Sequence, residues 1–231
     1  AGLKAIPTGI DHGTVTVISS GTTFEITTFR RDVETDGRRA VVAFSNDIID
    51  DARRRDFTMN ALYARPDGSI VDPLGGIQDV LDRRVRFIED ADQRIREDYL
   101  RTLRFFRFSA WYGAIDQGFD PDALNAISSN LDGLETLSAE RVGMEMVKLL
   151  NATDPAVAVA VMRQTGVLNT VLQGADDTWL APLIHVESLW DLSPDPIRRL
   201  AALGGTGVEK TLRLSKAQAR LLMQYRDGIG S

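Results

Sequence analysis

The stretch from Glu97 to Phe108 constrains the fold more than any other part of this sequence. It reads Glu-Asp-Tyr-Leu-Arg-Thr-Leu-Arg-Phe-Phe-Arg-Phe, contains neither Gly nor Pro, and is rich in residues that favour helix. Leu100, Leu103 and Phe106 recur at a spacing that keeps one side of a helix in a hydrophobic core. The stretch therefore predicts an amphipathic helix with one buried face.

A neighbouring face of the same predicted helix carries charge. Asp98, Arg101, Arg104 and Arg107 follow one another at intervals of three, so they drift slowly around the helix. Five arginines between residues 94 and 107 outnumber the one Asp and one Glu there, and no Lys is present. A solvated face with an ion pair is the ordinary alternative, contributing only about 0.3 kcal/mol. The excess of planar guanidinium donors instead favours phosphates or base edges as ligands.

A carboxylate beside a guanidinium has a specific chemical use. Adenine and cytosine each show an amino donor next to a bare ring nitrogen, so Asp98 could accept from the amino group while Arg101 donates to the ring nitrogen. Guanine and uracil present the opposite order, and their polar edges would face like partners. Arg104 and Arg107 would then remain for a triphosphate.

Composition limits the class of protein. A hydrophobic content of 43% in 231 residues supports real cores, and no apolar run approaches the roughly 20 residues that span a bilayer. The absence of Cys excludes disulfides, thiolate catalysis and Cys-based metal sites within this sequence, and the cytoplasm is the expected compartment. The net charge of −6 argues against non-specific coating of nucleic acid. Because 17 of the 27 cations lie in residues 1–110, we expect a local basic cleft in an acidic protein.

The first 29 residues predict β structure. Residues 14–18 and 24–29 flank Ser-Ser-Gly and predict a hairpin. Residues 1–4 are typical of a helix end with Gly2 as the stop signal, so we expect part of this domain before residue 1. Glu25 is interpreted as a charged residue on the outward-facing side of a strand, in preference to a residue that lies next to a metal ion.

Two further polar features lie in this part of the sequence, a single His and a segment rich in arginine. His12 is interpreted as a turn residue, because one His without partners binds no metal. The arginine-rich segment 30–39 has no apolar periodicity and predicts a surface loop.

Residues 46–88 predict mixed structure. Asn46 or Asp47 is expected to cap a helix that runs towards three consecutive arginines and Asp56, an arrangement that suits an anion. Pro-Asp-Gly predicts a tight hairpin over residues 63–71. A helix through about Arg83 and a short strand at residues 85–88 are expected after it.

Beyond Ala110 the pattern is helical. Helices are predicted, from caps and apolar periodicity, over residues 121–130, 138–150, 155–165 and 215–226. Trp111 and Tyr112 are interpreted as closing a helical core in preference to stacking on a base, and Trp179, His185 and Trp190 as packed in the next bundle. Residues 204–211 are not a phosphate loop, because no strand precedes them and Glu stands before the Lys.

Three ordered motifs carry a resemblance. They are Arg-Arg-Asp-Phe-Thr-Met-Asn-Ala at 54–61, Asp-Pro-Leu-Gly-Gly at 72–76, and Glu-Asp-x-x-Arg-x-x-Arg-x-x-Arg-Phe at 97–108. Together they resemble the bacterial-type tRNA nucleotidyltransferase and poly(A) polymerase family of the polymerase-β-like superfamily. Residues 9–14, 24–30 and 138–145 are similar to further segments of that family.

The resemblance implies an α+β fold: a partial mixed α/β nucleotidyltransferase head with an antiparallel-rich sheet, followed by an all-α neck and body. The implied domains are residues 1–90 (head), 91–152 (neck, nucleotide-selecting) and 153–231 (body). The implied activity is addition of C and A from CTP and ATP to the 3′ end of tRNA without a nucleic-acid template, using Mg²⁺. Poly(A) polymerase or A-only addition remains an alternative, as does a non-catalytic nucleotide- or RNA-binding module.

The resemblance also assigns roles to individual residues. Asp98 and Arg101 match the template for the incoming base, while Arg104 and Arg107 match nucleotide contacts. The remaining implied nucleotide-binding residues are the triphosphate contact Arg55 and, in the segment that holds the sugar, Asp56 and Asn60.

One departure from the family pattern affects catalysis. The family's Gly-Gly-x-Val-Arg-Asp loop and its metal-binding Asp-x-Asp pair are absent, and both would lie before residue 1. Two-metal phosphoryl transfer needs such carboxylates. We therefore expect no catalytic or metal-ligating residue in this sequence, the Mg²⁺ ligands upstream of Ala1, and a chain that binds nucleotides but is catalytically incomplete.

Overall fold

The structure, a computed structural model, describes residues 4–9, 13–36 and 39–228, without the side chains of residues 31–42 and 115. The helix end expected at residues 1–3 and the turn at His12 lie outside this part of the chain. Lys4 begins a strand and does not end a helix.

Three antiparallel strands form the first sheet. In spatial order they are β1 (Lys4–Gly9), β2 (Thr14–Ser19) and β3 (Thr22–Thr27). The predicted hairpin is confirmed, because β2 and β3 pair with Ser19 opposite Thr22. Ser20 and Gly21 both have positive φ, 50° and 80°, which suits the twist of a two-residue hairpin turn.

A second hairpin lies where the sequence predicted a surface loop. β4 (Arg30–Asp36) pairs antiparallel with β5 (Arg39–Phe44), so the loop predicted for residues 30–39 was wrong. β5 contains the run Ala-Val-Val-Ala-Phe, whose residue types fit a strand. The ladder itself is made by backbone groups, so β4 needs no apolar alternation to pair with β5.

The segment after the hairpins is compact and mostly follows prediction. Asp47 caps α1 (Ile48–Arg53) by accepting from the Ile49 amide at 2.9 Å, as predicted. A 3₁₀ turn at Thr58–Asn60, the short hairpin of β6 (Tyr63–Ala64) and β7 (Ile70–Val71), and α2 (Ile77–Leu81) follow in that order. Residues 85–88 form no strand; Phe87 makes only an isolated bridge to Phe57. The predicted strand was wrong, because no further partner extends that pairing.

The rest of the described chain is helical. The α-helices are α3 (Ala91–Glu97), α4 (Leu100–Tyr112), α5 (Pro121–Ser129), α6 (Ala139–Leu150), α7 (Ala156–Gln164), α8 (Val167–Val171), α9 (Leu180–Leu189), α10 (Pro196–Leu203), α11 (Val208–Thr211) and α12 (Lys216–Gly228). Two 3₁₀ segments, Ile115–Gln117 and Leu131–Thr136, lie between them. The α+β fold class is confirmed, with antiparallel sheets first and a helical majority after them.

The arginine-rich stretch is two helices and not one. α3 ends at Glu97, and Asp98 is extended, with φ −155° and ψ 103°. The Asp98 Oδ1 accepts from the Leu100 amide at 3.1 Å, a local bond by which Asp competes with continued helix. Tyr99 then packs so closely on Gly133 that a Cβ there would lie 1.9 Å from its ring. The break is therefore fixed by packing as well as by Asp98.

One hydrophobic cluster joins the two parts of the chain. It runs from Phe57 to Leu222 of α12 and includes the predicted core residues of α4, Leu100, Leu103 and Phe106. The cluster crosses both predicted domain boundaries, after residues 90 and 152, and that division stays a prediction. Within the described residues, no helix is long and apolar enough to cross a membrane.

The last helices hold a buried ion pair. Glu187 of α9 and Arg199 of α10 are 2% and 1% exposed, and their Oε2 and Nη2 atoms are 2.8 Å apart. Arg199 also donates to the backbone carbonyls of Leu150 and Thr153, at 2.7 and 3.1 Å. The pair therefore ties α9 and α10 to the end of α6.

The tryptophans beside α9 lie at the surface. Trp179 and Trp190 flank the helix and are 68% and 74% exposed, and His185 is exposed as well. The prediction that these residues pack inside the bundle was wrong. α9 buries only Leu180 and Glu187, because it has packing partners on one side alone among the described residues.

Removing the Glu187 carboxylate is expected to destabilise the protein. Glu187→Ala leaves Arg199 as a buried charge without a counterion, which costs about 3 kcal/mol in the free energy of unfolding. Urea unfolding followed by far-UV circular dichroism measures this. Glu140→Ala is the control, since Glu140 and Arg213 pair at 3.2 Å with side chains 58% and 71% exposed. The control should lose less than about 0.5 kcal/mol, and equal losses would contradict the assigned role.

Candidate functional site

A cavity of about 870 Å³ lies between the strands, the turn after α1, and helices α4 and α6. Six of the seven residues selected from sequence line it: Arg55, Asp56, Asn60, Asp98, Arg101 and Arg104. These residues are up to 49 positions apart in the sequence, and the fold brings them to one wall. Tertiary packing thus assembles a single polar site from two of the motifs.

The cavity is rich in arginine although the protein is acidic. Among the described residues it is lined by six arginines, Arg30, Arg54, Arg55, Arg101, Arg104 and Arg141, and by four carboxylates, Glu25, Asp51, Asp56 and Asp98. Asp51, Asp56 and Asp98 each accept a hydrogen bond from an arginine that lines the same cavity. The arginine forks have more donors than these bonds use, so the wall suits an anionic ligand.

Asp98 is held by a residue of α6. Its Oδ2 accepts from Arg141 Nη2 at 2.6 Å, and its side chain is 29% exposed. Its Oδ1 already bonds the Leu100 amide. A carboxylate has about four lone-pair sites, so these two bonds leave acceptor capacity at the cavity.

Arg101 has different partners from Asp98. Its Nη1 donates to Glu97 Oε2 at 2.7 Å and to the Arg94 carbonyl at 2.8 Å, and its Nη2 donates to the Arg54 carbonyl at 3.1 Å. Among the described atoms these bonds use three of its five N–H donors, and its Nε–H and one Nη2–H remain. Asp98 and Arg101 are therefore not sealed in an ion pair with each other.

Asp56 joins the turn after α1 to α4. Its Oδ2 accepts from Arg104 Nε at 2.6 Å, while its Oδ1 accepts from Asn60 Nδ2 at 2.8 Å and from the Phe57 amide at 3.0 Å. With this side chain only 8% exposed, the bonds fix Arg104 and Asn60 at the cavity. Asp56 thus acts on the site through the residues it holds.

Burial and charge act in opposite directions on Asp56. Burial by itself would raise the pKa of Asp56, but the Arg104 charge and the hydrogen bonds from Asn60, Arg104 and the backbone of Phe57 outweigh it. The pKa of Asp56 is therefore held below its ordinary value of 3.8. The carboxyl remains ionised at neutral pH, which excludes it as a proton donor there.

Arg107 lies elsewhere. Its Nε donates to Glu145 Oε2 at 2.6 Å, its guanidinium stacks 4.5 Å from the Phe108 ring centre, and its side chain is 16% exposed. It does not line the cavity. In this structure Arg107 links α4 to α6, and the hydrogen bond between Asp98 and Arg141 is a second link to α6.

Sequence reasoning missed four residues of the site. They are Glu97, Arg141 and Asp51, each of which bonds a selected residue, and Tyr63, which donates to Asp51 and lies against Arg55. A signal existed for Arg141, because Arg141 and Glu145 are four apart and so share one face of α6. Nothing in the sequence says that this face meets α4.

The described residues do not fit a metal centre. Among them no three His, Cys, Asp or Glu side chains lie together so as to hold an ion. Another cavity, of about 580 Å³, contains none of the selected residues and is lined by the carboxylates of Glu89, Asp90, Asp92, Asp120 and Asp122. Its acidic wall disfavours a polyanion.

Replacement of Asp56 should change how stability depends on pH. The folded pKa is lower than the unfolded one, so the ionised form stabilises the fold above about pH 4, and this contribution disappears as the pH falls through the folded pKa. Asp56→Asn removes the titration, and its stability should fall less steeply than that of the wild type between about pH 5 and pH 3. Urea unfolding at a series of pH values measures both slopes. Identical slopes would contradict the assigned pKa.

Two protein-family models match this chain, one in each part of the fold. Residues 3–86 match the poly A polymerase head domain, and residues 118–178 match the probable RNA and SrmB-binding site of polymerase A. The two matches fall on the sheet-bearing part and on the helical part of the fold. The head match includes the motif at residues 54–61, and the cavity residues between Asp98 and Phe108 lie between the two matches.

Individual relatives agree with the family models. The chain is 35% identical over 239 residues to the mitochondrial CCA tRNA nucleotidyltransferase 1 of Danio rerio, covering 98% of the chain and 54% of the relative. It is 39% identical over 173 residues to a CCA-adding enzyme of Geobacillus stearothermophilus, covering 74% of the chain and 42% of the relative. The chain therefore spans about half the length of the curated relatives it matches, or less.

Solved structures show the same architecture. The CCA-adding enzyme of Bacillus stearothermophilus, solved in complex with CTP, superposes with a TM-score of 0.76 at 29% identity, covering 98% of this chain and 56% of that one. A tRNA nucleotidyltransferase complexed with a primer tRNA and an ATP analog has a TM-score of 0.76 at 18% identity, covering 99% and 70%, and supports the fold alone. Motifs, fold and relatives agree: the chain belongs to the tRNA nucleotidyltransferase and poly(A) polymerase family.

Proposed function

We propose that this chain selects the nucleotide for an enzyme that adds C and A, from CTP and ATP, to the 3′ end of tRNA. The observation that carries the proposal is the pair of Asp98 and Arg101 on one arginine-rich cavity wall, each held by a different partner. Asp98 keeps acceptor sites and Arg101 keeps donors, which is the arrangement that the shared edge of adenine and cytosine requires.

The remaining residues have roles in the same pose. With the base on Asp98 and Arg101, Arg55 and Arg104 supply fixed positive charge for the triphosphate, and Asn60 is placed for the sugar. Arg107 is proposed to act structurally, because Glu145 already holds it. The proposed division is a head at residues 1–90, a neck at 91–152 and a body at 153–231.

Relatives supply the proposed partners. The relatives named above are CCA-adding enzymes, and the solved relative at 29% identity is described in complex with CTP. In the proposed reaction the tRNA 3′-hydroxyl attacks the α-phosphate of CTP or ATP, and pyrophosphate leaves. Mg²⁺ is the proposed cofactor, and the cytoplasm is the proposed compartment.

Binding without transfer is the second candidate function. It is favoured by one observation, that no metal-ligating group of three side chains occurs among the described residues. This candidate predicts binding of ATP and CTP but no incorporation. Extension assays with each nucleotide on tRNA ending in -C, in -CC or in neither, with Mg²⁺ present, separate it from CCA addition, A-only addition and poly(A) synthesis.

Loss of either member of the base-reading pair should remove selectivity. Titration of this chain with ATP, CTP, GTP and UTP is expected to show an ATP and CTP preference of about tenfold or more. In Asp98→Ala and Arg101→Ala that preference should fall towards unity, because the cavity no longer opposes the wrong donor and acceptor order.

A neighbouring ion pair provides matched controls for this test. Asp92 and Arg96 pair at 2.9 Å on α3, and neither lines the proposed cavity. Asp92→Ala and Arg96→Ala should keep the selectivity of the wild type. If selectivity survived both cavity variants, the base-reading role would be refuted.

A further inference from the structure

Asp51 is a buried carboxylate at the base of the proposed site. It lies on α1, is 5% exposed, and its Oδ2 accepts from Arg55 Nε at 3.3 Å and Arg55 Nη2 at 3.0 Å. The same oxygen accepts from the Tyr63 hydroxyl at 2.9 Å. Its Oδ1 lies 3.4 Å from the Arg30 amide at the start of β4. One carboxylate thus links α1, the turn after it, β6 and the second hairpin.

These contacts immobilise a guanidinium that is otherwise accessible. The Arg55 side chain is 45% exposed, lines the cavity, and lies 5.3 Å from the centre of the Tyr63 ring. Its Nη1 takes no part in the bonds to Asp51. Ordering a free arginine side chain costs conformational entropy, and here the side chain is already ordered before any ligand arrives.

The uncharged Tyr63 hydroxyl donates a hydrogen bond to Asp51. Burial, and then the hydrogen bond to Asp51, raise the pKa of Tyr63 to about 12. The hydroxyl therefore keeps its proton at neutral pH and continues to donate to Asp51. Its ring supports the Arg55 guanidinium from one face, while Asp51 holds one edge.

We infer that Asp51 is a positioning residue, which holds Arg55 against Tyr63 so that the edge of the guanidinium that Asp51 does not contact meets the phosphates of the bound nucleotide. The inference rests on the proposed function and adds a residue that the motifs did not select. Asp51 itself contacts no ligand. Its effect is confined to the triphosphate end of the site, whereas the base is read by Asp98 and Arg101.

If the role of Asp51 were purely structural, replacing it would weaken ATP binding no more than replacing another buried carboxylate. Asp79 provides that comparison. Asp79 is 4% exposed and accepts from Arg86 Nη2 at 2.8 Å and from Thr58 Oγ1 at 2.6 Å. It is thus a buried carboxylate paired with an arginine in the same part of the fold, but it does not line the cavity. Asp51→Asn and Asp79→Asn should both lower the melting temperature.

Nucleotide titration of this chain separates the two carboxylates. Asp51→Asn should weaken ATP and CTP about tenfold, leave the affinity for adenosine unchanged, and leave the ratio of ATP to GTP affinity unchanged. Asp79→Asn should bind ATP as the wild type does. Asp51→Asn combined with Arg55→Ala should bind ATP no more weakly than Arg55→Ala alone, because Asp51 acts through Arg55.

The outcomes distinguish this inference from the proposed function. If the wild type bound ATP no more tightly than adenosine, or without preference over GTP, the proposed function would fail and the role of Asp51 with it. If the wild type behaved as proposed but Asp51→Asn weakened ATP no more than Asp79→Asn, the positioning role alone would be overturned. A further loss of ATP affinity on adding Asp51→Asn to Arg55→Ala would overturn it as well.

Discussion

The pairing of half-buried arginines with carboxylates from other elements is the constraint on which this structure depends. An ionised group removed from water needs a partner, and a carboxylate contacting one edge of a guanidinium leaves other N–H groups unused. Asp56 holds Arg104, Glu97 holds Arg101, and Glu145 holds Arg107. The bonds from Asp56 and Glu97 therefore join neighbouring elements and also set the direction of the Arg104 and Arg101 donors at the cavity.

The break between α3 and α4 converts this scaffold into a site. A continuous helix would have placed Asp98 and Arg101 one turn apart with direct access to each other. The extended conformation of Asp98 instead turns its carboxylate to Arg141 of α6, while Arg101 reaches back to α3. The proposed base-reading role needs both groups to remain available, and separate partners achieve that at low conformational cost.

Local sequence signals predicted the elements whose determinants are local. The cap of α1, the hairpin of β2 and β3, and the apolar face of α4 follow from residue type and spacing. The failures have a common cause in long-range contact. β4 is a strand because β5 pairs with it, residues 85–88 are not a strand because no partner extends them, and Trp179 is exposed because α9 packs on one side.

The sequence by itself determined the family, the fold class and six residues of the cavity wall, because those depend on motif chemistry and on periodicity that a single chain displays. Only the tertiary structure decided that Arg107 is engaged by Glu145, that Arg141 holds Asp98, and that Asp51 lies under Arg55. The first two contacts join side chains across different helices, and Asp51 contacts Tyr63 and β4 as well as its i,i+4 neighbour Arg55. The meeting of two such surfaces is a property of packing that no local pattern encodes.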